Sequence, residues 1–339
     1  MSVVLPPPDA RGTLRAGLFR LLGEAGLLLI ASLLLALSVA LFWESLGWQV
    51  RMLTPFRPQY LVGGLLLLLA ATWLRFSWFT RGACVAIVAV NGWVLWPWLL
   101  PIRDACPESS FLLMSWNTWT DHPEPQQVIA AAAASGADVV LLCETPMSWR
   151  GRPAPVIPGY TTAVHDQYVL GVRQDGPVEL LASRLARPPY CLEAIVLLED
   201  RPLRLLATHQ ARPTSVRGCQ IQDAQHARME LWRDTSGVPC LVAGDFNATP
   251  WCGHLARCIK KMGLRDASRG YGVDSTYPTS PPIMSRLCGV PIDQVFYSPE
   301  LATGRRWIGA ANGSNHRPVF VRVGWRRAPP DRAPSAATP

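Results

Sequence analysis

The residues with the chemistry to act on a substrate stand, one after another, at the ends of apolar runs. Asn117 follows Leu112-Leu113-Met114-Ser115-Trp116, Glu144 follows Val139-Val140-Leu141-Leu142-Cys143, and His209 follows Leu205-Leu206-Ala207-Thr208. Asp245 and Asn247 lie in Gly244-Asp245-Phe246-Asn247 after Cys240-Leu241-Val242-Ala243, Asp293 lies in Pro291-Ile292-Asp293-Gln294-Val295-Phe296, and Asn315-His316 precedes Arg317-Pro318-Val319-Phe320-Val321. A carboxylate at the end of so apolar a run needs a partner. Together these groups offer hard oxygens for a divalent cation, neutral amide donors for phosphate oxygens, and imidazoles that carboxylates can orient. Metal-assisted hydrolysis of a phosphoester needs that set. Any one of the residues alone reads equally well as a turn, a helix cap or a strand-edge acid.

Strands must carry these groups, because a rigid sheet holds catalytic side chains while its end loops admit substrate. Apolar runs bounded by turn residues predict strands at 111–116, 138–143, 168–173, 191–198, 203–208, 239–243, 292–298 and 319–323. Helices are expected at 125–135, 219–232 and 254–262, the last stopping at Gly263. Many strands with few helices imply an α+β fold, two packed sheets covered on their outer faces.

Six pieces in order resemble the endonuclease/exonuclease/phosphatase superfamily, the fold of deoxyribonuclease-like nucleases, inositol-phosphate phosphatases and bacterial sphingomyelinases. They are Ser115-Trp116-Asn117, Leu142-Cys143-Glu144, Ala207-Thr208-His209, Gly244-Asp245-Phe246-Asn247, Ile292-Asp293-Gln294-Val295 and Ser314-Asn315-His316-Arg317-Pro318, and they cover essentially all of residues 111–323. The resemblance implies a deoxyribonuclease-like two-sheet α/β sandwich at 111–325. It makes Glu144 the principal Mg²⁺ ligand, with Asn117 beside it and Mn²⁺ as the alternative ion. Asp245 orients or deprotonates the attacking water, Asn247 binds phosphate, and His209 contacts the phosphate or the leaving oxygen. His316, held by Asp293, stabilises charge on the phosphoryl group or moves a proton. The family usually has Asp before the last His; this chain has Asn315, which brings a neutral oxygen to the metal in place of a charged one.

The first hundred residues are a different material. No charge occurs in 25–43, 58–74 or 82–102, and Trp43, Trp73, Trp93, Trp96 and Trp98 stand at or near segment ends. Three such stretches predict three transmembrane helices, a membrane anchor at 25–102. Arg11, Arg15 and Arg20 precede the first, and Arg75 and Arg81 flank the turn between the second and third, against Arg51, Arg57 and Arg103 on the other side. The positive-inside rule then puts residues 1–24 in the cytoplasm and the C-terminal domain outside a bacterial cell membrane. A linker at 103–110 tethers the domain close to the bilayer. The tail at 326–339, rich in Pro, Arg and Ala, is expected to be disordered.

Net charge is +8, but only Lys260 and Lys261 are lysines and no stripe of cations follows one element, so the charge argues little for nucleic acid. Eight of the nine cysteines lie beyond the third apolar segment, which permits disulfides, whereas Cys143 and Cys240 sit in strand-like runs that suit buried thiols. His226 is expected on a solvated helix face; His165 and His254 have no evident partner. The layout of anchor plus domain resembles the VanJ-type teicoplanin-resistance proteins, associated with undecaprenyl pyrophosphate phosphatase activity. That resemblance implies a lipid-linked phosphate substrate, a polyprenyl pyrophosphate. An extracellular nuclease, a phospholipid phosphodiesterase and a catalytically silent envelope protein are the rival readings.

Overall fold

In a computed structural model, the described residues are 9–101, 110–149, 155–186, 191–234 and 237–326. Most of the expected linker and tail, together with Cys106, lies outside them. Two units divide the chain: Met1–Leu46 with Phe56–Trp96, and Gly47–Pro55 with Pro97–Pro339.

The smaller unit is built from helices α1 (Asp9–Ala40), α3 (Arg57–Trp73) and α4 (Trp78–Leu99) as far as Trp96, while α2 (Trp48–Leu53) and the last turn of α4 belong to the larger unit. Within α1 the stretch Arg15–Ala40, and the whole of α4, are long and apolar enough to cross a membrane. The expected middle span, 58–74, falls short by that measure, because α3 has 17 residues, a rise of about 26 Å against a hydrocarbon core of ~30 Å. Small residues bring the helices together: a Cβ on Gly64 would press on the Ile87 side chain, and Ala31, Cys84 and Ile87 form a buried cluster. Arg57 is buried at the start of α3, donating to Ser38 O (3.4 Å) and Asn91 Oδ1 (3.3 Å).

The larger unit runs β1 (Ser110–Asn117), α5 (Pro125–Ala134), β2 (Val139–Cys143), β3 (Tyr160–His165), β4 (Tyr168–Arg173), β5 (Val178–Ala186), β6 (Cys191–Leu198), β7 (Arg201–His209), α6 (Val216–Asp234), β8 (Cys240–Asp245), α7 (Gly253–Lys261), β9 (Arg265–Asp266), α8 (Pro282–Cys288), β10 (Asp293–Tyr297), β11 (Leu301–Ile308) and β12 (Val319–Trp325). Two six-stranded sheets result, ordered β11-β12-β1-β2-β4-β3 and β5-β6-β7-β8-β10-β9. Side-chain alternation builds three layers of core. Phe111, Leu113, Leu205, Ala207, Leu241 and Ala243 meet between the sheets, whereas Met114, Trp116, Val140 and Leu142 face α5. Leu206, Val242 and Phe296 face α6 and α7 on the opposite side. Strands buried on both faces read as unbroken apolar runs, which is why these were legible as strands.

The eight expected strands are present, with ends shifted by up to two residues. The four unexpected ones are β3, β5, β9 and β11. Thr161, Glu179, Arg184 and Arg305 interrupt the longer three with polar or charged residues, and β9 is only two residues long. Seven of the eight described cysteines are buried. Burial keeps the Cys143 thiol well above its usual range, helped by the nearby Asp245 and Asp293 carboxylates.

Candidate active site

The two parallel strand pairs, β1/β2 and β7/β8, each require a crossover helix, α5 and α6, and each crossover aligns the carboxyl ends of its strands. In the first sheet Asn117 pairs with Cys143, so Glu144 emerges beside it. In the second, His209 pairs with Asp245, and antiparallel β10 sets Asp293 across from Asp245. Strand β12 begins with Val319 opposite Ser115, so residues 314–318 run past the end of β1. Ser314 Oγ ties this segment down, donating to Asn117 O (2.8 Å) and accepting from His316 N (3.0 Å), while Trp116 Nε1 donates to His316 O (3.1 Å).

One cluster forms where the sheet ends meet. Asn117 Nδ2 donates to Glu144 Oε2 (2.7 Å) and to Asp245 Oδ2 (2.9 Å), joining the sheets. His209 Nε2 is 3.5 Å from Glu144 Oε2 and 3.9 Å from Asp245 Oδ2. On the other flank His316 Nδ1 is 2.8 Å from Asp293 Oδ2, and its Nε2 is 3.8 Å from Asp245 Oδ2. Asp245 thus stands between two imidazoles. Asn117, Asp245, Asp293 and His316 are all at most 1 % exposed, so their polar groups depend on one another. The Tyr277 ring lies 4.7 Å from that of His316.

Electrostatics separates the roles. Burial would lower the His316 pKa, but Asp293 and Asp245 overcome it and hold the imidazole up at about 9. Burial instead raises the Asp245 carboxyl, against the pull of His316. An imidazolium with its Nδ1 on Asp293 is fixed in orientation and presents Nε2 toward the cluster. Backbone strain gathers here as well: Glu144 (φ 51°), Asn247 (φ 46°) and Gly244 (φ 138°) all take positive φ.

For a divalent cation the fit is good. Glu144, His209 and Asp245 offer ligand atoms within 4.8 Å of one another, as do Asp245, Asp293 and His316. Two buried oxygens, Asp293 Oδ1 and Asn315 Oδ1, have no hydrogen-bond partner. An orphaned oxygen in a cluster of acids suits a hard cation. The expected ligand Asn117 has its nitrogen toward the carboxylates and its Oδ1 accepting from Trp119 N (3.0 Å), so it braces the pair in this geometry. Asn247 likewise spends its amide on Gln210 O (2.8 Å) and, more weakly, Asp245 Oδ2 (3.4 Å).

Several supporting residues carried little or no signal in the sequence. Gln167 Oε1 lies 3.2 Å from His209 Nδ1, and the Tyr168 hydroxyl accepts from His209 N (3.0 Å). Tyr168 opens the apolar run of β4, whereas Gln167 stands just outside it. His226 is a correction: it is 5 % exposed, with Nε2 2.8 Å from Gln210 Oε1 and its ring stacked on His254. The weak amphipathic pattern of α6 concealed a helix whose polar residues face inward, where Gln222 donates to Phe246 O (3.1 Å) and Gln225 to His209 O (3.3 Å). His165 Nε2 is 3.0 Å from Ser183 Oγ, away from the cluster.

A family model described as Endonuclease/Exonuclease/phosphatase family matches residues 114–316, more than half of the chain. No curated protein matches. Among solved structures, the human Nocturnin catalytic domain with bound sulfate anion is 15% identical with a TM-score of 0.51, covering 66% of this chain and 98% of its own. D. rerio TDP2 complexed with single strand DNA product is 16% identical with a TM-score of 0.51, covering 64% of this chain and 100% of its own. At such identities the likeness is one of fold.

Proposed function

Because the chain belongs to the endonuclease/exonuclease/phosphatase family, a family of metal-dependent phosphoester hydrolases, we propose that it hydrolyses the pyrophosphate of a polyprenyl lipid at the outer face of a bacterial membrane. One observation carries the lipid part. The residues flanking the apolar helices pack on the catalytic unit next to its site loops. Trp251, four residues past Asn247, donates Nε1 to Thr54 O (3.2 Å), and Trp98 at the end of α4 donates to Asp266 Oδ2 (2.8 Å). Arg51 on α2 grips Asp223 of α6 through two bonds of 2.8 and 2.9 Å, and α6 braces His209 and Phe246. A site tied to such segments meets substrates that diffuse in the membrane plane.

These contacts also bear on α3. Residues 47–55 and 97–98 both belong to the larger unit, so in the proposed layout the chain between them returns to the side it left. If α4 crosses the bilayer, α3 must cross as well, and Arg57, held by Ser38 and Asn91, lies inside the bundle at one end of the span. Trp73 and Trp93 support lipid around these helices, being 86% and 82% exposed.

The residues then divide the work. Glu144 and Asp245, with the free oxygen of Asn315, would hold Mg²⁺ or Mn²⁺, and Asn117 joins that shell if its amide turns. The bound cation supplies Lewis acidity that neutralises phosphate charge. Asp245 orients the attacking water and takes its proton as the water oxygen bonds to phosphorus and the bond to the leaving phosphate oxygen breaks. His316, positively charged and fixed by Asp293, stabilises the charge that builds on the phosphoryl oxygens. His209 faces the leaving oxygen, and Asn247 reaches phosphate by releasing Gln210.

The test is hydrolysis of three substrates, each with Mg²⁺ and with chelator: phosphate release from undecaprenyl pyrophosphate, headgroup release from a lysophospholipid, and strand cleavage of plasmid DNA. Turnover of the polyprenyl substrate, lost with chelator and abolished in Glu144→Ala, is expected. Cleavage of DNA alone makes the protein a nuclease, turnover of the lysophospholipid alone makes it a phospholipid phosphodiesterase, and no turnover makes it a silent envelope protein.

A further inference from the structure

Away from the cluster, on the outer face of the second sheet, lies a cavity of about 720 Å³ whose lining residues all belong to the larger unit. That volume is within the roughly 300–1,000 Å³ of small-molecule pockets. Ile259, Leu264 and Phe296 are buried in its lining, and Lys260, Arg265 and Arg269 are exposed around it. The chain's only two lysines are adjacent here, at the end of α7, and one of them joins Arg265 and Arg269 a few residues on, with Trp98 brought in from far back in the sequence.

One acid lines the cavity, Asp266, and its oxygens are already engaged. Oδ1 accepts from Ser268 N (2.7 Å) and Oγ (2.6 Å), and Oδ2 from Trp98 Nε1 (2.8 Å). Three cations therefore face one occupied carboxylate. Trp98 is held edge-on to Trp251 with ring centroids 5.5 Å apart, and the Arg269 guanidinium sits 5.8 Å from the Trp98 ring. Trp98 is the penultimate residue of the apolar helix α4, and Leu99 and Leu100 after it are exposed.

We propose that this cavity binds the headgroup of one anionic phospholipid, with its acyl chains leaving along the apolar residues at the end of α4. Indole belongs at the bilayer interface, and cations near an anionic leaflet gain about 1 kcal/mol each. An apolar floor under a ring of cations matches a molecule that is charged at one end and greasy at the other. Nucleic acid would need a stripe of cations that follows a backbone. The inference rests on the membrane layout proposed above and is independent of the phosphoesterase substrate.

The experiment is native mass spectrometry of the full chain in mild detergent, given equal amounts of phosphatidylglycerol and phosphatidylcholine with identical acyl chains. One phosphatidylglycerol should be retained in preference to phosphatidylcholine. Lys260→Gln, Arg265→Gln and Arg269→Gln should each weaken retention about fivefold. Glu144→Ala should bind the lipid as the native chain does while hydrolysing nothing, so that failure of the catalytic reading is told apart from failure of this one. Equal retention of the two lipids in the native chain overturns the proposal without recourse to any variant. So does unchanged retention in the exposed-site variants Arg265→Gln and Arg269→Gln, complete displacement by inorganic phosphate, or displacement by a single-stranded oligonucleotide.

Discussion

Asp293 and His316 form the closest ion pair of the cluster, at 2.8 Å, and both are buried. The His316 pKa, held up at about 9 from an ordinary value of 6.5, makes the pair a source of pH-dependent stability. A group whose folded pKa is raised stabilises the fold fully below 6.5 and loses that contribution as pH rises through 9. A shift of that size corresponds to roughly 3 kcal/mol. Thermal melts of chelator-treated protein should therefore show stability falling between those values, and Asp293→Asn should flatten that slope. The same variant should lower kcat by on the order of 10²–10⁴-fold, because the imidazole loses its orientation. An unchanged slope in Asp293→Asn would show that another group titrates. Asn315 is the residue at which the chain departs from the expected pattern, with a neutral amide where a carboxylate was expected, and its Oδ1 is buried without a hydrogen-bond partner.

At the scale of elements, the two crossovers explain why the groups converge. Parallel pairs β1/β2 and β7/β8 deliver Asn117, Glu144, His209 and Asp245 to the same end, and β10 and the 314–318 segment bring Asp293 and His316 back to it. Strand β8 reaches that end through Gly244, where φ is 138° and a Cβ would collide with the Thr208 carbonyl of the neighbouring strand. Gly263, after α7, also has positive φ, but nothing lies within 4 Å of its would-be Cβ. Gly244→Ala should therefore cost roughly 3–4 kcal/mol in chemical denaturation, by backbone strain plus steric clash. Gly263→Ala should cost about 1 kcal/mol, the strain alone. Equal costs would mean that β7 and β8 can separate to admit the methyl group.

For the whole molecule, the membrane layout turns on parity. Segments 47–55 and 97–98 belong to one unit, so in the proposed layout the α3–α4 turn is expected on the other side of the bilayer. A cysteine placed at Ser77, in that turn, should react with an impermeant maleimide only after the cells are permeabilised. A cysteine at Leu46 should react in intact cells. Both residues are exposed, so access is decided by the bilayer. Reaction of both in intact cells would mean that α3 and α4 do not span.

The sequence alone determined the sheet-end placement of Asn117, Glu144, His209, Asp245, Asp293 and His316, because strands buried on both faces leave unbroken apolar runs and their polar neighbours stand out. It likewise marked the apolar helices by the absence of charge. Tertiary structure decided what local pattern does not encode. It put His226 inside, since the polar side of α6 satisfies strand-end carbonyls and amides. It turned the Asn117 amide toward two carboxylates across the gap between the sheets. And it gathered Lys260, Arg265, Arg269 and Trp98 around one cavity, a grouping that spans some 170 positions and depends on the packing of the chain.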